Sequence, residues 1–249
     1  WNKVNPATGP VYVEGAEPGD ILKVTIDKLE VGSEGFIVTG PGVGVFGDQF
    51  DTFHIKKLPI ENDHAIFDGN LKIPLQKMIG VIGVAPEEGP INCGTPGAHG
   101  GNMDTTLVTE GATLYFPVFH KGALFATGDF HGVMGDGEVA GSGMEIPGEV
   151  TVTFDIIKGH KLNYPLIEND EGIAFIVTKE TLDEAAKNSA QEMIYFLKER
   201  TDLSLPHLTI LMSAVGHSQV SQIVNPLTTA RFFLPKYVLE NYDVKLFNE

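Results

Sequence analysis

Leu22-Lys-Val-Thr-Ile-Asp27 and Val150-Thr-Val-Thr-Phe-Asp-Ile156 decide the fold class. In an extended chain Leu22, Val24 and Ile26 fall on one face, and Lys23, Thr25 and Asp27 on the other, because strand side chains alternate with period two. Val150, Val152, Phe154 and Ile156 alternate with Thr151, Thr153 and Asp155 in the same way. Both stretches therefore read as half-buried strands. Working outward, Leu114–Phe119 and Ala123–Thr127 read as further strands, with His120-Lys-Gly122 turning between them. Pro18-Gly19-Asp20, Asp68-Gly69-Asn70 and Asp136-Gly137 are turn signals. The 29 glycines and 15 prolines are spread along the chain, the pattern of many short strands joined by tight turns.

One segment breaks this pattern. Thr181-Leu-Asp-Glu184 has the form of a capping box, with Thr181 as N-cap and Glu184 in the first turn. Leu182, Ala185, Ala186, Ser189, Met193, Phe196 and Leu197 then recur at helical spacing, so a helix is predicted over 182–199. A shorter helix is predicted to start near Pro235, since proline is tolerated in a first helical turn. The expectation is a mainly β protein, sandwich or barrel-like, with a smaller α/β C-terminal part. Residues 1–160 form the β-rich domain with the candidate site and 161–249 the α/β region. Gly159-His-Lys-Leu-Asn-Tyr-Pro165 marks the boundary.

Composition narrows the function. The hydrophobic fraction of 42% and charged fraction of 20% suit a folded globular protein. A net charge of −16 has the wrong sign for nucleic acid or anionic membranes, so neither is an expected partner. No apolar run approaches the roughly twenty residues that span a bilayer. The single cysteine, Cys93, excludes an intramolecular disulfide and fits a reducing compartment, so a cytoplasmic location is expected. No signal-peptide pattern opens the chain, which starts on Trp1-Asn-Lys rather than on methionine.

The chemistry concentrates in His99-Gly-Gly-Asn-Met-Asp104 and in Gly128-Asp-Phe-His-Gly-Val-Met-Gly-Asp-Gly-Glu138. Glycine lets backbone approach a ligand closely. The side chains left standing bind metals or move protons. If Gly128–Val133 starts extended, Asp129 and His131 share a face, as Asn102 and Asp104 do. Asp129 and His131 could then grip one ion, with His99 arriving from the other loop. Mixed nitrogen and oxygen donors suit zinc or a similar divalent metal. The plain alternative is that these residues cap turns and satisfy backbone groups. Asp136-Gly137 reads equally well as a hairpin tip. Glu138 and Glu145 are candidate ligands or general bases, against a reading as solvated surface glutamates. Cys93, in turn-like Ile91-Asn-Cys-Gly-Thr-Pro-Gly97, is a candidate nucleophile or a small filler. No P-loop, dinucleotide fingerprint or HExxH helix occurs.

At these residues the sequence resembles the acetamidase/formamidase family. The resemblance begins at Asn5-Pro-Ala-Thr-Gly-Pro10, passes through Glu14-Gly-Ala-Glu-Pro-Gly-Asp20 and His99–Asp104, is densest over Gly128–Glu138 with Glu145, and ends at Ser221-Gln-Ile-Val-Asn-Pro226. It implies hydrolysis of small linear amides to carboxylate and ammonia, on a β-rich fold with a smaller α/β part. It differs from the cysteine-based nitrilase-type and the serine–lysine amidases. Members usually carry more sequence before the position of Trp1. The implied enzyme is a metal-assisted hydrolase: His99, Asp129 and His131 hold the metal, Glu145 or Glu138 takes a proton from water, Asn102 steadies the amide oxygen, and Asp104 completes the site. Self-association as a two-fold dimer is expected. Two rivals stand beside this reading: a cysteine amidase using Cys93, and a binding module stabilised by calcium at Asp104, Asp129, Asp136 and Glu138.

Overall fold

The computed structural model describes residues 5–247. In chain order its strands are β1 (Ala7–Val11), β2 (Ile21–Val31), β3 (Glu34–Thr39), β4 (His54–Glu61), β5 (His64–Ile66), β6 (Lys72–Pro74), β7 (Met78–Gly83), β8 (Gly100–Asn102), β9 (Thr113–Pro117), β10 (Phe125–His131), β11 (Gly148–Ile157), β12 (Leu166–Asn169) and β13 (Gly172–Lys179). Helices α1 (Leu182–Lys198) and α2 (Leu205–Val215) follow, then β14 (His217–Gln222), β15 (Thr228–Pro235) and α3 (Lys236–Asn241). Strand accounts for 40% and helix for 14%, so the protein is mainly β with a small C-terminal α/β part.

The two stretches that decide the fold class are partners. β2 and β11 pair antiparallel, with Leu22 opposite Ile156 and Val24 opposite Phe154. Leu22, Val24 and Ile26 are fully buried in the main core with Ile79, Ile82, Phe116 and Phe125. Burial of each such side chain contributes on the order of 2 kcal/mol. β11 lies at the sheet edge, so Val150, Val152, Phe154 and Ile156 are only partly buried. Phe154 still meets Phe125 edge-on, with ring centres 4.9 Å apart.

Seven strands form one antiparallel sheet in the order β11-β2-β9-β12-β13-β15-β14. The sheet runs unbroken from strands before residue 160 to strands after it. Its other face receives α1 and α2, burying Phe175, Met193, Phe196, Leu208, Met212 and Leu234 in a second core. A four-stranded sheet, β1-β10-β7-β8, carries the chemistry-bearing strands, and a third, β3-β4-β5-β6, packs around Leu58, Met144 and Ile146.

Helix α1 covers nearly the predicted span. Thr181 Oγ1 accepts the Glu184 amide at 3.3 Å, the N-cap bond the capping pattern called for. The helix near Pro235 is α3, with Pro235 as its N-cap residue rather than inside its first turn. Helix α2 has no counterpart in the pattern reading. Its signal was Ser204, whose hydroxyl caps the His207 amide, followed by Pro206 in the first turn.

Candidate active site

β10 sits between β1 and β7, and β7 pairs in turn with β8. This order brings the two glycine-rich stretches together. Asp129 and His131 end β10, Asn102 ends β8, and Asp104 follows two residues later. Asp129 departs from regular strand geometry with φ of 60°, and no ladder partner opposes it. Asp104 (φ 45°) and Glu138 (φ 50°) are also left-handed. Such backbone is uncommon for residues with a Cβ and recurs at functional sites.

The side chains converge in two overlapping groups. Ligand atoms of Asp104, Asp129 and His131 all lie within 4.8 Å of one another, and so do those of His131, Glu138 and Glu145. Glu145 Oε1 stands 3.1 Å and Asp129 Oδ1 3.8 Å from His131 Nε2. Despite this proximity, both imidazole nitrogens lack a hydrogen bond, as do Asp104 Oδ1 and Asn102 Oδ1, and all four atoms are buried. Buried polar atoms without partners are rare in folded proteins and call for an explanation.

Glycines make the convergence possible. A Cβ built at Gly80, in the middle of β7, would stand 2.5 Å from both Asp104 Oδ1 and Asp129 Oδ2. A Cβ at Gly143 would stand 2.6 Å from His131 Nδ1. Glu145 is placed by backbone on two sides. It exchanges amide bonds with Phe36, at 2.8 and 3.0 Å, and bridges to His131.

His99 belongs to neither group. Its ring lies between Gly97 and Gly101, whose added Cβ atoms would approach Nδ1 to 2.9 Å and Nε2 to 2.8 Å. Burial holds its pKa below the ordinary histidine value. Cys93 is exposed and also lies outside both groups. Asp136-Gly137 is not a hairpin tip. Gly137 bridges in parallel to Gln222, and the Gly137 amide donates to Ser221 O at 2.8 Å.

Pattern reading gave no role to Asn225, although it lies in the Ser221–Pro226 motif. Its Nδ2 donates to Asp104 Oδ2 at 2.7 Å and to Asn102 O at 3.1 Å. Asn5 Nδ2 likewise donates to Asp129 Oδ2 at 3.1 Å. Each carboxylate is oriented by one amide, and no spacing in the sequence announces a contact across 121 or 124 residues.

The electrostatics share one direction. Burial raises Asp104 to about 6 and Glu145 to about 7, and lifts Glu138 well above the usual carboxylate range. Burial alone would lower His131, but the carboxylates of Asp129 and Glu145 overcome it and hold His131 well above its ordinary value. Unfolded, these carboxyls ionise near pH 4 and the imidazole near 6.5. Between those values and the raised folded ones, the native state binds more protons than the unfolded state. Stability therefore falls as pH rises. Chelator-treated protein should melt at progressively lower temperature from about pH 4.5 to 7.5. A flat or rising melting temperature across that window would contradict the buried cluster.

A cleft of about 1490 Å³ opens beside the cluster, lined by Asn5, Gly128, Asp129 and Glu145 together with apolar Phe36 and Phe130. Fold and site thus define a β-rich protein built around a buried imidazole–carboxylate centre at the edge of a cleft. The chain belongs to the acetamidase/formamidase family, whose model matches residues 1–92 and 91–240. A recombinant predicted acetamidase/formamidase from the thermophile Thermoanaerobacter tengcongensis shares 51% identity and superposes with a TM-score of 0.96, over 98% of this chain and 81% of that one. An acetamidase from Bacillus halodurans shares 46% identity, with a TM-score of 0.94 over 98% and 82% of the two chains. A formamidase from Methylophilus methylotrophus is 26% identical over 216 residues, 63% of this chain and 52% of that protein. The chain spans about half the length of that curated relative. Among the described residues no helix is long and apolar enough to cross a membrane.

Proposed function

We propose that this chain carries the hydrolytic centre of an amidase for small linear amides, and that the centre holds one divalent metal, with zinc the best match. The four orphaned buried polar atoms in the cluster carry this reading. Asp104 Oδ1 and both His131 nitrogens are buried without a hydrogen bond, and Asp104, Asp129 and His131 each bring a ligand atom within 4.8 Å of the others. Four carboxyls surround one imidazole there, so the cluster is short of positive charge. One nitrogen donor with several oxygens is a donor set that zinc accepts. Asp104, Asp129 and His131 would hold the ion. When bound, it supplies Lewis-acid polarisation of the amide carbonyl and acidifies water.

The remaining side chains divide the proton work. Glu145 is the more accessible of the acids, with 25% of its side chain exposed, and it lines the cleft. It takes a proton from the attacking water as the oxygen bonds to the amide carbon. With a pKa near 7 it is suited to both accept and release a proton at neutral pH. Glu138 is buried and favours its protonated form, so it delivers a proton to the nitrogen as the carbon–nitrogen bond breaks. Carboxylic acid and ammonia result. Asn102 hydrogen-bonds the amide oxygen as negative charge develops there.

Gly80→Ala tests the packing on which this depends. The new methyl enters the space between Asp104 and Asp129, so metal affinity should fall at least tenfold. Zinc titration by calorimetry measures it, and an unchanged affinity would remove those two residues from the ligand set.

The function itself is tested by ammonia release from a panel of small amides, with and without chelator, alongside metal analysis. The expected result is turnover of formamide- or acetamide-sized substrates that chelation abolishes and zinc restores. Cys93→Ala should be indistinguishable from wild type. Calcium as the sole bound metal, with no ammonia released, would favour a binding module instead.

A further inference from the structure

Arg231 lies on β15, in the C-terminal part of the chain, and is 3% exposed. A guanidinium so far from water needs its donors filled. Its Nε donates to Gln219 Oε1 at 2.8 Å. Nη1 donates to Val220 O at 3.0 Å and reaches Ser221 Oγ at 3.4 Å. Nη1 and Nη2 together hold Asp136, at 3.1 Å to Oδ1 and 2.7 Å to Oδ2. Such a fork fixes the carboxylate in direction as well as distance.

Asp136 is outside the cluster, but it directs the chain into it. It accepts a further bond from Thr106 Oγ1 at 2.9 Å. Gly137, the next residue, is bonded to the 221–223 segment from both its amide and its carbonyl. The residue after that is Glu138. Ser221 also accepts the Thr105 hydroxyl at 2.8 Å, and Thr105 follows Asp104. One guanidinium therefore ties together the chain before Glu138, the chain after Asp104 and strand β14. Glu138 needs such a tie. Its backbone is left-handed, and its carboxyl is buried beside the carboxyls of Asp104, Asp129 and Glu145. An untethered loop would relieve both by swinging the carboxyl out to water.

The geometry points to Arg231 as a positioning residue that, through its fork on Asp136, holds the carboxyl of Glu138 in the catalytic cluster without touching substrate. Its activity arm rests on the amidase reading. Two variants test it. Asp136→Asn keeps the shape and the Thr106 bond at a half-exposed side chain but removes the charge. Arg231→Lys keeps the charge and loses the fork. Both should fold, with melting temperatures within a few degrees of wild type for Asp136→Asn. Each should lower kcat for amide hydrolysis at least tenfold while KM moves less than twofold. In a Glu138→Gln background, Asp136→Asn should cost no more than a further twofold, because the group it positions is already gone. Wild-type kcat in either variant, or losses that multiply fully with Glu138→Gln, would overturn the proposal. If wild type releases no ammonia from any amide, the amidase reading fails, and a crystal structure of Asp136→Asn decides the positioning role separately. Glu138 displaced from His131 supports it; Glu138 in its present place refutes it.

Discussion

The His131→Gln protein is expected to stay folded while losing both bound divalent metal and amide hydrolysis. His131 belongs to both groups of converging side chains. It is fully buried, and neither ring nitrogen has a well-aligned hydrogen bond, although Nε2 stands 3.1 Å from Glu145 Oε1. Glutamine roughly fills the imidazole's volume, so the core around Gly143 and Met144 should survive. What disappears is the nitrogen donor that faces four carboxyls. Losing a residue that only hydrogen-bonds a metal ligand already costs 10–100-fold in metal affinity, so a direct ligand should cost at least that. Activity should fall by at least about a hundredfold. Metal analysis, circular dichroism and ammonia release on one preparation would decide it. Full metal occupancy in the variant, or hydrolysis by wild type shown to hold no metal, would end the proposed mechanism.

Glu145→Gln should separate proton transfer from metal binding. The side chain keeps its size, and Phe36 on one side and His131 on the other hold its backbone. The metal should stay, since Asp104, Asp129 and His131 are untouched. The loss should appear in kcat, by roughly 10²–10⁴-fold, the range typical of a removed general base. Removing one buried acid should also leave the chelated protein no less stable above pH 7, where ionised Glu145 is a cost. Activity within threefold of wild type would move the base elsewhere, with Glu138 next to be tested.

The fold class was legible because it rests on local periodicity. Alternation in 22–27 and 150–156 specifies a strand whatever it pairs with. The Thr181 cap and the spacing that follows specify α1 almost to the residue. Helix α2 escaped because apolar residues occur on more than one of its faces: Leu208, Leu211, Met212 and Val215 pack into the core, but Leu205 and Ile210 are exposed. Periodicity reports a face only when one face is buried.

For the site, the sequence by itself determined which side chains were available. Its glycine-rich stretches put Asp129 and His131 two residues apart, and Asn102 and Asp104 likewise. Glu138 and Glu145 were candidate ligands or general bases by their chemistry, and the family resemblance includes both. Only the tertiary structure decided which of these meet. Strand order β1-β10-β7-β8 places Asp104 against Asp129 across Gly80, and the bridge between His131 and Glu145 brings that glutamate to the imidazole. It leaves His99 outside both groups, brings in Asn5, Asn225 and Arg231, to which spacing gave no role, and ties Asp136, read as a hairpin tip, to Arg231. The reason is physical. A side chain's direction along a strand is set by its neighbours in sequence, but proximity between strands is set by the packing of the whole core. A contact that spans more than a hundred residues leaves no periodic trace in the chain that makes it.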